Sequence, residues 1–287
     1  MYKKYWNFNE KPFENTPDER FIYYSKQHLE AYTRLLYVLA ERKSAAILTG
    51  EYGSGKTLIS RIIVNKLLEE ENKYNVALIV NPAISPLEML KEILYQLGGE
   101  IHKDSQKIDV LRVLNEILYK NINENRHTVI MIDEAQAINS NLVFEEVRLL
   151  LNFQTDDQFL LTLLLIGQPE LKQKISGLPQ LEQRFSTKYH LNRLSLEDTQ
   201  KYIEHRCNVA GRKERAFTDS AYNLIYKSSE GVPRKINNIC DISLMSGSST
   251  KASIIDEDIV SAVAEDMKGY TQIMPGCQQG CNNGEKS

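Results

Sequence analysis

The chain has 287 residues, 42% of them apolar and 25% charged, an ordinary globular balance with room for one large domain or two modest ones. Its 35 basic and 38 acidic side chains leave a formal charge of −3, which excludes a global basic field for nucleic acid and an acidic solvating tail. The longest apolar stretch, Leu160 to Ile166, is too short for a bilayer, the first residues lack a signal-peptide core, and four cysteines make no disulfide scaffold. A cytoplasmic protein without a membrane span is the expectation.

Residues 1–26 hold six Tyr, Phe or Trp before Tyr23, with turns at Pro12 and Pro17, and are expected to form an ordered aromatic arm. A helical period follows at Leu29, Tyr32, Leu35, Leu36 and Leu39. Ala45 to Thr49 reads as a buried strand running into a glycine-rich turn, Thr57 to Glu69 as a helix and Val76 to Val80 as a second strand. Helices are predicted over Pro86–Leu97, Ile108–Tyr119 and Asn141–Leu151, and strands over Thr128–Ile132, Leu160–Ile166 and Tyr189–Leu191. Strands that are apolar throughout and alternate with helices predict a parallel five-stranded sheet covered on both faces.

Beyond Leu194 the strands stop. Ser195-Leu-Glu-Asp198 starts a helix in the manner of a capping box, with Asp at the third position. Helices follow over Ser195–Ala210, Thr218–Glu230, Pro233–Met245 and Asp256–Met267. The expected organisation is an arm (1–26), an α/β nucleotide-binding domain (27–193), a small all-helical lid (194–268) and a disordered tail from Gly269 to Ser287.

Gly50-Glu51-Tyr52-Gly53-Ser54-Gly55-Lys56-Thr57 fits G-x-x-x-x-G-K-[ST], with a strand before it and the helix of Thr57 and Leu58 after it. Glycines let successive backbone N–H groups curl around phosphate oxygens, and the helix N-terminus adds its positive end. Lys56 then reaches the β- and γ-phosphates and the Thr57 hydroxyl ligates Mg²⁺. Asp133 and Glu134 end the third apolar strand, where the first carboxylate can hold the metal and the second can act as base on the attacking water. Gln168, at the end of the fourth strand, can position that water. Arg184 precedes the last strand and is either a surface charge or a finger reaching a neighbouring subunit's site. Arg234, in Gly231-Val-Pro233-Arg234, opens a lid helix and can swing over the phosphates. ATP and Mg²⁺ are the expected ligands.

The ordered set resembles the AAA+ plan, and within it the ATPase domain of the ExeA-like (general secretion pathway A-type) family. The resemblance rests on Lys11-Pro12-Phe13, Gly50 through Thr57, Asn81-Pro82, Asp133-Glu134-Ala135-Gln136, Glu146 through Phe153, Gly167-Gln168-Pro169-Glu170-Leu171 and Gly231 through Arg234. It implies Pro12 and Phe13 on the adenine side, Gln168 as a sensor, Arg184 as a trans finger in a homo-oligomer, assembled with ATP, and Arg234 as the lid sensor. Secretion-type members continue into a membrane span and a peptidoglycan-binding part. Neither is present in this sequence, so the resemblance implies a stand-alone ATPase acting on an unknown protein partner. The transposition ATPases of the TniB/TnsC and Mu B type are similar too, which makes duplex DNA the alternative partner. A P-loop phosphotransferase is the third class. No second substrate pocket is legible for it.

The remaining candidates read more plainly. The run Arg212-Lys-Glu-Arg215 is expected to be a solvated loop, or else a phosphate-contacting patch. Cys277 and Cys281 have no further ligands near them in sequence for zinc. His28 and His127 lack any partner spacing, and no chemistry is assigned to them.

Overall fold

A computed structural model of the protein describes residues 2–272, and in it the chain divides into two compact units. One runs from Pro17 to Arg193; the other joins residues 2–16 to those from Leu194 onward.

The first unit is a parallel five-stranded sheet in the order β2-β3-β4-β1-β5, built from β1 (Ala45–Gly50), β2 (Tyr74–Ile79), β3 (His127–Ile132), β4 (Leu161–Gly167) and β5 (Phe185–Leu191). Side chains along a strand point alternately to its two faces, so apolar residues at every position fill two cores. Ala46, Leu48, Val129, Met131, Leu164 and Ile166 pack under α2 (Lys26–Ala40) and α3 (Lys56–Glu69). Their sequence neighbours Ala45, Ile47, Ile130, Ile132, Leu163 and Leu165 face the other way. They meet α4 (Pro86–Gln96), α5 (Lys107–Asn123), α6 (Asn141–Leu150), α7 (Pro169–Ser176) and α8 (Pro179–Glu182), all after α1 (Tyr2–Tyr5) of the other unit.

Two differences from the sequence expectation have local causes. β5 begins at Phe185 rather than Tyr189, because as an edge strand it alternates buried and solvent-facing residues and its Ser186, Thr187 and Lys188 do not read as apolar. Helices α7 and α8, for which no helix was predicted, are short and each opens on a proline in its first turn.

The second unit packs α9 (Leu196–Val209), α10 (Asp219–Ser229), α11 (Pro233–Thr250) and α12 (Glu257–Gln272) with α1 and the arm to Thr16. The arm expected over 1–26 is therefore split, its last residues belonging to the α/β unit. Trp6 is 1% exposed and its indole N–H donates to the Leu244 carbonyl over 2.8 Å. Arg206, buried, donates from Nε to the Pro12 carbonyl (2.5 Å) and from an Nη to that of Glu14 (2.8 Å). Arg212, of the basic run, donates to the Trp6 carbonyl over 2.7 Å and stands 5.4 Å from the Trp6 ring centroid. Ser195 caps α9 by accepting the Asp198 N–H (3.0 Å), and its hydroxyl donates to the Asp198 carboxylate at 3.0 Å.

Gly231 has φ +72°, and an added Cβ would sit 2.1 Å from the Leu194 carbonyl oxygen, so only glycine fits ahead of α11. The tail expected to be disordered from Gly269 is helical as far as Gln272; the rest of it, with Cys277 and Cys281, lies outside the described residues. Among the described residues no helix is long and apolar enough to cross a membrane.

Candidate nucleotide site

The loop between β1 and α3 sits at the carboxyl edge of the sheet, where strands end and helix N-termini begin. Gly53 (φ +78°) and Gly55 (φ +104°) take left-handed conformations that other residues resist, and Gly55 is the cap of α3 with no side chain to satisfy the helix's first N–H groups. Those donors, with the dipole end behind them, are a ready anion site. Lys56 is 5% exposed, and its Nζ donates to the Gly50 and Glu51 carbonyls over 2.7 and 2.8 Å. Burial lowers its pKa, against the raising charges of Glu134, Asp133 and Glu51. Ser54 is buried and its Oγ has no protein partner, a polar atom with capacity for a ligand. Glu51, Gly53, Gly55 and Leu58 are half-buried, while Tyr52 and Thr57 are exposed.

The end of β3 faces this loop. Asp133 is buried and takes the Glu134 N–H on Oδ1 at 2.8 Å; the Thr57 side chain lies close enough to lower its pKa, and Ser60 Oγ stands 3.5 Å from Oδ2. Burial, then the neighbouring Glu134 charge, raises its pKa, against the lowering effect of Lys56 and the hydrogen bonds. A divalent cation would reverse that bias. Thr57 and Asp133 fit Mg²⁺ in kind, both oxygen donors, but two oxygens are far from the six it takes. The remaining ligands have to be phosphate and water oxygens. Among the described residues no group of three His, Cys, Asp or Glu could hold a metal on its own.

Glu134 is itself left-handed (φ +49°, ψ +36°), which turns its side chain from that of Asp133. Its Oε2 accepts from Gln168 Nε2 over 3.3 Å, so the residues expected to act as base and sensor meet directly. It also accepts from Gln136 Nε2, and Gln136 Oε1 takes the Gln168 backbone N–H at 3.0 Å. Gln136 thereby ties the end of β3 to the end of β4 across adjacent strands. Sequence reading gave Gln136 no role of its own; its position two residues past the acidic pair was the available clue.

Arg184 lies elsewhere. It precedes Phe185, which pairs with Ala45, whereas the loop follows Gly50, which pairs with Leu191. Five residues of strand separate the two edges, roughly 17 Å at the rise of a β-strand. Its guanidinium donates to Asn152 Oδ1 over 2.8 Å. Within one chain it is thus at the far edge of the sheet from the phosphate loop. Arg234 is exposed in the first turn of α11, Phe13 is 2% exposed and edge-on to Phe217 at 6.2 Å, and Pro12 gives its carbonyl to Arg206. All three belong to the helical unit.

Comparison with known proteins agrees with this geometry. Residues 39–175 match the family model described as an AAA domain. The α/β unit is an AAA domain. The chain that carries it is 34% identical, over 271 residues, to General secretion pathway protein A of Aeromonas hydrophila, covering 94% of this chain and 49% of the relative. It therefore spans about half the length of that protein. The fold also matches Drosophila ORC bound to DNA (TM-score 0.68, 14% identity, 94% of this chain and 68% of that one). ORC2 of Aeropyrum pernix, solved with ADPNP and ADP, matches with a TM-score of 0.64 at 18% identity, over 90% of this chain and 72% of that one. At such identities the AAA domain shares their fold, and its chemistry rests on its own residues.

Proposed function

We propose that the chain binds Mg·ATP at Gly50–Thr57, hydrolyses it, and couples turnover to assembly of a homo-oligomer or remodelling of a protein partner in the cytoplasm. The observation that carries the reading is the meeting of Thr57, Asp133, Glu134 and Gln168 around the loop of Lys56. Lys56 and the loop N–H groups bind the phosphate chain. Thr57 and Asp133 hold Mg²⁺, which when bound neutralises charge on the phosphate oxygens. Glu134 takes the proton of the attacking water, and Gln168 and Gln136 fix its carboxylate for that task. Arg184, far from its own chain's loop, acts in a neighbour's site. The roles of Pro12 and Phe13 on the adenine side and of Arg234 in the lid follow from the family resemblance.

The test is ATP turnover against protein concentration, with Glu134→Gln as the blank. Turnover per site is expected to rise with concentration in the wild type and to lose that rise in Arg184→Ala. A rate no higher than the blank at any concentration would overturn the reading. Stimulation by duplex DNA that fades with salt would move the partner from protein to DNA.

A further inference from the structure

His28 lies outside every motif, yet its ring is buried against the phosphate loop, 6% exposed. The N-cap of α2 puts it there: the Ser25 hydroxyl accepts the His28 backbone N–H, and the same oxygen lies 2.7 Å from His28 Nδ1. On the other side of the ring, Nε2 is 3.0 Å from the carbonyl oxygen of Ser54. A carbonyl can only accept, so Nε2 carries a proton and donates it, while Nδ1 takes the Ser25 O–H. Both ring nitrogens are thus engaged, one by the helix cap and one by the loop.

The carbonyl and N–H of a trans peptide point in opposite directions. With the Ser54 carbonyl drawn inward onto the imidazole, the N–H of Gly55 is turned outward. Gly55 is left-handed, and glycine allows its flanking peptides to rotate at little cost, so the loop's own sequence does not hold that orientation. The ring does. A Cβ on Gly55 would stand 3.0 Å from Nε2, a measure of how closely the two are seated.

We propose that His28 is a positioning residue for phosphate binding: it locks the Ser54–Gly55 peptide so that the Gly55 N–H faces a nucleoside di- or triphosphate. This inference rests on the assignment of the loop as the nucleotide site. The N–H groups of the loop serve phosphates that ADP and ATP share, so both nucleotides should feel the loss alike.

The experiment compares wild type with His28→Leu, His28→Gln and Ser25→Ala by equilibrium binding of fluorescent ADP and ATP, and by amide exchange of the loop without nucleotide. His28→Leu is expected to weaken both nucleotides about tenfold, the scale of one hydrogen bond, and to speed exchange at residues 54–57. His28→Gln, whose amide can donate from nearly the same place, should recover most of the affinity. Ser25→Ala, which leaves the Ser54 contact but loosens the ring, should fall between them and covers the case in which His28→Leu does not fold. Wild-type affinity in His28→Leu, or equal losses in the Leu and Gln variants, would overturn the proposal. If wild type binds neither nucleotide, the site assignment fails instead, and unchanged exchange in His28→Leu would then sink the positioning role separately.

Discussion

The two units bury polar side chains to opposite ends. In the helical unit Trp6, Arg206 and Arg212 direct their donors to backbone carbonyls of the arm and its neighbours, so that polar groups close the fold. At the phosphate loop Lys56 holds only two carbonyls of its own loop, Ser54 Oγ holds nothing in the protein, and Glu134 is a left-handed residue kept in place by two glutamines. Interactions that are complete within the chain make stability. Those left incomplete around the loop are open to a ligand, unlike the buried, unpartnered Thr199 and Ser243 hydroxyls of the helical unit, and substitutions should separate the two.

The largest effect expected is on turnover. Glu134→Gln should slow ATP hydrolysis by about 10²–10⁴-fold, the range for loss of a general base, with unfolding free energy changed by less than about 0.5 kcal/mol. A variant that loses stability as well as turnover would break the contrast. Trp6→Ala should do the reverse, costing about 3–5 kcal/mol in denaturant unfolding of the helical unit through the lost ring and its hydrogen bond to the Leu244 carbonyl.

His127 sharpens the rule, because it is a buried and half-partnered group of the α/β unit that is not in the site. Its Nε2 donates to Thr162 Oγ1 over 2.7 Å, its Nδ1 has no protein partner, and burial, with the Arg42 charge, lowers its pKa to about 4. The unfolded chain, with an ordinary value near 6.5, binds the proton first, so stability is intact above pH 6.5 and is lost as the pH falls towards 4. The loss is at most roughly 3 kcal/mol. Unfolding curves of wild type and His127→Gln between pH 7 and 4 should diverge by that amount, and parallel curves would refute it. The smallest effect belongs to Ser54→Ala: stability within about 0.5 kcal/mol of wild type, since no protein hydrogen bond is removed, but nucleotide binding weakened several-fold.

What could be read in the sequence is what lies close along the chain. Gly50 to Thr57 and Asp133-Glu134 are contiguous, and their flanking strands are apolar at every position, so the loop, the acidic pair and the order of elements were all legible. His28 was not, because its partner Ser54 is 26 residues away and nothing in either segment marks the pairing. Gln136 was visible only as a letter after the acidic pair; its bond to the Gln168 backbone depends on β3 and β4 being neighbours in space. Arg212 read as a solvated or phosphate-facing charge because charge is what a sequence displays, while the Trp6 carbonyl that it meets is 206 residues distant. The edge position of β5 likewise has no signature until the strand order is known.

In topological terms the α/β unit is an insertion: residues 17–193 interrupt a helical fold begun by residues 2–16 and resumed at Leu194. During synthesis the arm leaves the ribosome long before α11, which supplies the Leu244 carbonyl for Trp6. At 5–20 residues per second the 238 residues from Trp6 to Leu244 take roughly 12–48 s to make. For that time the aromatic arm has no seat. The AAA domain has the chance to fold first, and closure of the helical unit becomes a later step that seats residues 2–16 on the helices after Leu194.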